Sequence, residues 1–114
     1  MDIKIGCDLV HIGRFKESIE RGGKGFLNKV FTQAELASAS KPENLAGIFA
    51  AKEAVIKALD LKVGDWHRIQ ILKKRNGRPE VKLLEFDEEI LSDISISHNK
   101  EYAMAVAIFL IHNL

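Results

Sequence analysis

The sequence predicts an α+β chain: an opening strand, a group of helices, then a run of strands. Three observations predict it. Residues 3–10 alternate in period two, residues 45–59 place apolar side chains at helical spacing, and beyond residue 68 the two-residue alternation returns around an Asn76-Gly77 turn.

In the first strand Ile3, Ile5, Cys7 and Leu9 alternate with Lys4, Gly6, Asp8 and Val10. Asp8 shares the Gly6 face near the strand's end. Gly6 leaves space that suits a group approaching the backbone. Taken alone, Asp8 reads equally as a residue that caps or ends the strand.

From residue 11 to 20 the pattern turns helical, with Ile12, Phe15 and Ile19 on one side and Gly22 and Gly23 as a terminating pair. Arg14, Lys16, Glu17 and Arg21 occupy the outer face. Such a face is either simply solvated or a docking surface for an acidic partner, for which Arg14 is best placed. Phe26, Leu27, Val30 and Phe31 make a further helical turn. Thr32 with Glu35 matches a capping box that starts a short helix, and Ser40 with Glu43, followed through Pro42, matches it again at the head of the central helix.

The central helix, residues 45–59, has an apolar side built from Leu45, Ile48, Phe49, Val55, Ile56 and Leu59, with alanines between. Its charges are misplaced for a surface helix. Lys52 falls inside the apolar stripe, and Glu53 and Lys57, one turn apart, lie together at its edge. Lys52 reads as a snorkelling side chain with a packed stem, or as a cation facing something anionic. Glu53 and Lys57 read as a solvated pair or as part of a site.

Residues 60–65 form a loop. Ile69 and Ile71, then Val81 and Leu83, flank Lys73-Lys74-Arg75-Asn76-Gly77-Arg78-Pro79, a hairpin whose basic tip is either solubilising or phosphate-binding. Trp66 and His67 precede it with no assignable role. Residues 87–91 read as a short helix or turn. Residues 94–98 form a strand with Ser95 and Ser97 on one face and Ile94, Ile96 and His98 on the other. Asn99-Lys100-Glu101 turns into Tyr102–Ile111, whose continuous apolar character predicts burial on both faces.

The totals bound the rest. A chain of 114 residues implies one domain, residues 1–114, with a modest core. Hydrophobic residues at 46% and charged residues at 29% place it among ordinary soluble globular proteins. A net charge of +1 is no electrostatic footprint for nucleic acid. Cys7, the sole cysteine, excludes an internal disulfide and fits a reducing cytoplasm. The N-terminus lacks a signal-peptide pattern, and the longest apolar run is too short to cross a membrane as a helix.

Taken together, three blocks in order resemble the holo-acyl-carrier-protein synthases, the small 4′-phosphopantetheinyl transferases. They are Ile5-Gly6-Cys7-Asp8-Leu9-Val10 with Arg14 and Phe15, then Phe49-Ala50-Ala51-Lys52-Glu53-Ala54 with Lys57-Ala58, and Ser95-Ile96-Ser97-His98 with Tyr102-Ala103. Asn76-Gly77-Arg78-Pro79 resembles the family's hairpin. The resemblance implies an α+β fold with antiparallel strands that assembles as a trimer, with active sites between subunits. It implies transfer of 4′-phosphopantetheine from coenzyme A to a serine of apo acyl carrier protein, with magnesium as cofactor and adenosine 3′,5′-bisphosphate as leaving product. By analogy Asp8 and Glu53 hold the metal, Glu53 or a metal-bound water takes the serine proton, and Lys57 steadies the phosphates. Lys52 would neutralise the paired acids. By the same resemblance Gly77 and Pro79 would lie at the adenine end, Ser97 and His98 would line the coenzyme site, and Arg14 would face the acyl carrier protein.

Two departures bear on coenzyme binding. Ile48 stands where the family has arginine, and residues 60–64 replace a loop richer in glycine. They leave open a non-catalytic module of the same fold that binds coenzyme A or a carrier protein and, more remotely, a metal-dependent phosphohydrolase.

Overall fold

The computed structural model describes residues 1–85 and 90–112. Strand β1 (Asp2–His11) is followed by helices α1 (Ile12–Val30), α2 (Gln33–Ser38) and α3 (Pro42–Leu59), and by a 3₁₀ turn at Trp66–Arg68. Strands β2 (Ile69–Lys73), β3 (Pro79–Leu83), β4 (Leu91–His98) and β5 (Tyr102–Ile111) complete it. β2 and β3 form the expected antiparallel hairpin, and a three-stranded antiparallel sheet runs in the order β1-β5-β4. Of the short element expected over residues 87–91, residues 87–89 lie outside the described part and Leu91 opens β4.

Helix α3 packs on one face of the sheet because small residues meet there. Ala103, Ala105 and Ala107 of the central strand are fully buried, opposite a helix whose Ala50, Ala51 and Ala54 are also fully buried. Register places Gly6 beside Ala107 and Asp8 beside Ala105 on this same face. The space beside Gly6 is filled by α3 itself: a Cβ at Gly6 would stand 2.0 Å from the Ala54 carbonyl oxygen and 2.7 Å from the Ala58 nitrogen. Both obstacles are helix backbone and cannot rotate away. Gly6→Ala is therefore expected to cost about 3 kcal/mol or more, read as a lower denaturant midpoint. A midpoint equal to that of the parent protein would mean α3 does not lie this close to β1.

The other face of the sheet is open and apolar. Ile3, Ile5 and Leu9 are 66%, 66% and 63% exposed, and Met104 and Ile108 of β5 lie beside them. This corrects the reading of the last strand as buried on both faces. One face of β5 is a row of buried small residues, the other is open in the single chain.

Of three local expectations, one is corrected. Gly23 does interrupt the first helix, as expected. At φ 54° and ψ −140°, a conformation glycine adopts cheaply, it kinks α1, which resumes and runs to Val30. The box at Ser40 and Glu43 does not form: Lys41 is the N-cap of α3, makes no side-chain cap bond, and precedes Pro42. The box at Thr32 and Glu35 does form, with Glu35 N donating to Thr32 Oγ1 and Thr32 N donating to Glu35 Oε1.

Glu35 also answers the question posed by Lys52. The Lys52 Nζ donates to Glu35 Oε1 at 2.6 Å and to the Val30 carbonyl at 2.8 Å, with both side chains fully buried. Ile71 N of β2 donates to Glu35 Oε2 at 2.8 Å. Lys52 neither snorkels nor faces Asp8 and Glu53. It joins the end of α1, α2, α3 and, through Glu35, the edge of β2. Burial pushes the Lys52 amine below its usual value, and the Glu35 carboxylate opposes that push.

Candidate active site

Two clefts flank α3. The first, of about 490 Å³, lies where the C-terminal half of β1, the start of α1 and α3 meet. Asp8 and Glu53 both line it, one from a strand end and one from a helix, and Arg14 stands in its wall. Its apolar side is a chain of rings: Phe15 lies 5.9 Å from Phe26 and 5.5 Å from Phe49 between centroids. Arg14 is positioned by the head of α1, where His11 Nδ1 accepts from Arg14 N at 3.1 Å.

Lys57 holds Asp8 in place. Its Nζ donates to Asp8 Oδ1 at 3.0 Å and to the Cys7 carbonyl at 3.1 Å. The bond to Asp8 is the main reason the Lys57 amine lies above its usual value. A raised value means the pair's contribution is complete below the usual lysine range and is lost as pH climbs through the folded value. Lys57 thus stays cationic at neutral pH. Its own side chain is 56% exposed, so water screens the pair.

Glu53 is fixed differently. Its Oε1 accepts from the Trp66 indole Nε1 at 3.2 Å. Among the described residues no donor reaches Asp8 Oδ2 or Glu53 Oε2. Two carboxylates in one cleft, each with one oxygen engaged and one unused, suit a hard divalent cation that takes one or two protein carboxylates.

The second cleft, of about 500 Å³, lies across α3, on the side of Gly47 and Ile48. Gly77 and Pro79 from the hairpin and His98 from β4 line it. Gly77 takes φ 86°, and its N donates to the Lys74 carbonyl to close the turn. Ile48 is 9% exposed and presents an apolar wall to this cleft. At the hairpin tip Arg78 pairs with Asp93 at 3.5 Å and Lys74 with Glu80 at 3.6 Å.

The predicted site residues therefore fall into groups. Asp8, Glu53 and Arg14 share one cleft, with Lys57 joined to it through Asp8. Gly77, Pro79 and His98 share the other. Ser97 belongs to neither: alternation turns it to the open sheet face, beside Met104. The residues that sequence reasoning missed are Glu35 and Trp66. Glu35 showed only as a helix-capping residue, and its buried partner is 17 positions away. Trp66 gave no signal beyond being the only tryptophan.

A strand-end acid and a helix acid line one cleft of an α+β scaffold, and the helix that follows the strand adds an arginine to its wall. The 4′-phosphopantetheinyl transferase superfamily model matches residues 4–107, and the chain belongs to that family. It is 43% identical to the holo-[acyl-carrier-protein] synthase of Chlorobaculum parvum over 113 residues, spanning 93% of this chain and 97% of that one. Among solved structures, the holo-[acyl-carrier-protein] synthase of Helicobacter pylori in complex with coenzyme A superposes with TM-score 0.83 at 31% identity, covering 93% of this chain and 99% of that one. That of Neisseria meningitidis gives 0.84 at 26% identity, covering 95% and 98%.

Proposed function

We infer that this chain, acting as one domain, transfers 4′-phosphopantetheine from coenzyme A to a serine of apo acyl carrier protein. The carrying observation is that Asp8 and Glu53, 45 residues apart in the sequence, line one cleft in a chain of this family. The relatives' names and the coenzyme A complex support the substrates.

In the proposed reaction the serine oxygen bonds to the β-phosphorus of coenzyme A as the bond from that phosphorus to the bridging oxygen breaks. Adenosine 3′,5′-bisphosphate leaves with the electron pair. Phosphoryl transfer asks chiefly for positioning and charge neutralisation. Asp8 and Glu53 would hold magnesium, and the ion would supply the neutralising charge. Glu53 lies where a base is needed for the serine proton. Lys57 orients Asp8 and adds a cation beside the phosphates. Arg14, on the cleft wall, offers a cation to the acidic carrier protein.

The coenzyme contacts proposed for Gly77, Pro79, Ser97 and His98 lie outside the Asp8–Glu53 cleft within one chain. The open apolar face of β1 and β5 supports assembly with further copies. We propose a homotrimer in which the first cleft of one subunit meets the second cleft of its neighbour. A monomeric mass by light scattering would exclude it. A single cysteine supports a reducing, cytoplasmic setting. Among the described residues no helix is long and apolar enough to cross a membrane.

The deciding experiment incubates the protein with apo carrier protein, coenzyme A and magnesium, and weighs the carrier by mass spectrometry. A mass increase of one phosphopantetheine is expected. An unmodified carrier, across several carriers, would sink the assignment. The apolar wall made by Ile48 favours one second reading, a non-catalytic coenzyme A or carrier-protein binding module. Calorimetric binding of coenzyme A without turnover would select it.

A further inference from the structure

Trp66 is held from three directions. Its ring packs on Phe49, 6.1 Å between centroids, and Phe49 packs in turn on Phe15. Its Nε1 donates to Glu53 Oε1. Phe49 and Glu53 are one turn apart on α3, so one helix face offers both the surface for the ring and the acceptor for its N–H. The turn carrying Trp66 is braced from behind. Asp65 Oδ2 accepts from Lys62 N and from Arg68 Nη1, each at 3.2 Å, and Asp65 N donates to the Lys62 carbonyl.

We propose that Trp66 is a positioning residue. Its indole N–H fixes the Glu53 carboxylate by Oε1, leaving Oε2 as the oxygen offered to a divalent cation. A glutamate without this bond must give up side-chain freedom when the ion arrives, and affinity falls accordingly. Partners that orient a metal ligand commonly carry about 10- to 100-fold in metal affinity or activity. The inference rests on the reading of Glu53 as a ligand given above.

The test uses Mn²⁺ as probe, its free concentration followed by electron paramagnetic resonance in the presence of coenzyme A. Trp66→Phe keeps a ring against Phe49 and removes the donor. Mn²⁺ binding about tenfold weaker than in the parent protein is expected. A second variant carries the benzothiophene analogue of tryptophan at the same position, with sulfur replacing the N–H at unchanged shape, and is expected to weaken binding equally. In turnover, saturating Mg²⁺ should restore kcat in both variants with the KM for coenzyme A unchanged, which a packing defect would not do. Because Trp66 is the only indole, Mg²⁺ alone should also change the protein's fluorescence, and Glu53→Gln should remove that response. If both Trp66 variants bind Mn²⁺ as tightly as the parent, the inference is overturned and the reading of Glu53 stands. If Glu53→Gln binds Mn²⁺ as tightly as the parent, that reading fails and the inference with it.

Discussion

Glu53→Gln is expected to lower carrier modification by about 10²- to 10⁴-fold, the range for losing a positioned acid or base, while the circular dichroism spectrum and thermal midpoint stay near those of the parent. The amide has the same shape, and its carbonyl oxygen can still accept from the Trp66 indole. What it lacks is the negative charge that would bind a cation and the basicity that would take a proton. Glu53 is only half-buried and engages one protein donor, so the fold does not depend on its charge. Activity within threefold of the parent, measured by mass spectrometry of the carrier, would remove Glu53 from the mechanism.

Glu35→Ala is expected to act in the opposite manner, on stability first. It leaves the Lys52 cation buried with one carbonyl partner and strips the Thr32 and Ile71 amides of their acceptor. Removing one member of a buried pair costs about 3–5 kcal/mol, and each orphaned amide about 1–3 kcal/mol more. A domain of this size has only about 5–15 kcal/mol in hand, so the variant should be largely unfolded at neutral pH. With the carboxylate gone, burial alone acts on Lys52 and lowers its folded value further. The unfolded chain then binds the extra proton, and stability should rise with pH toward the usual lysine range. The double variant Glu35→Gln, Lys52→Met removes both charges and keeps an acceptor for one of the two amides, and should recover part of the loss. Guanidinium titration of the variants checks all three statements. A Glu35→Ala variant within 1 kcal/mol of the parent would contradict the buried pair.

Spacing alone left Asp8 readable as a residue that ends the strand and Glu53 with Lys57 as a solvated pair; the family resemblance joined the two acids. Period two puts Asp8 on the Gly6 face, Gly6 admits a close neighbour, and helical phase puts Glu53 and Lys57 at the edge of the face that packs there. The partner of Lys52 was not legible. Its misplacement in the apolar stripe was visible, but Glu35 had a sufficient local role as a cap, and a capping glutamate engages only one of its two oxygens. The second oxygen was engaged by long-range packing that no spacing reports. The last strand misled because composition does not separate a face buried by its own chain from one left for another surface. Ala103, Ala105 and Ala107 are small because α3 is close, whereas Met104 and Ile108 stay 43% and 38% exposed on the opposite face. The placement of the proposed coenzyme contacts was only half legible: alternation along β4 separates Ser97 from His98, but which cleft His98 lines depends on how the sheet meets the helix.

The measurement that bears most directly on the central claim is anomalous diffraction from crystals grown with coenzyme A and Mn²⁺. One metal peak coordinated by both the Asp8 and Glu53 carboxylates and by coenzyme phosphate is predicted. A peak that touches neither acid, or the two acids turned into separate regions in every subunit pairing, would contradict it.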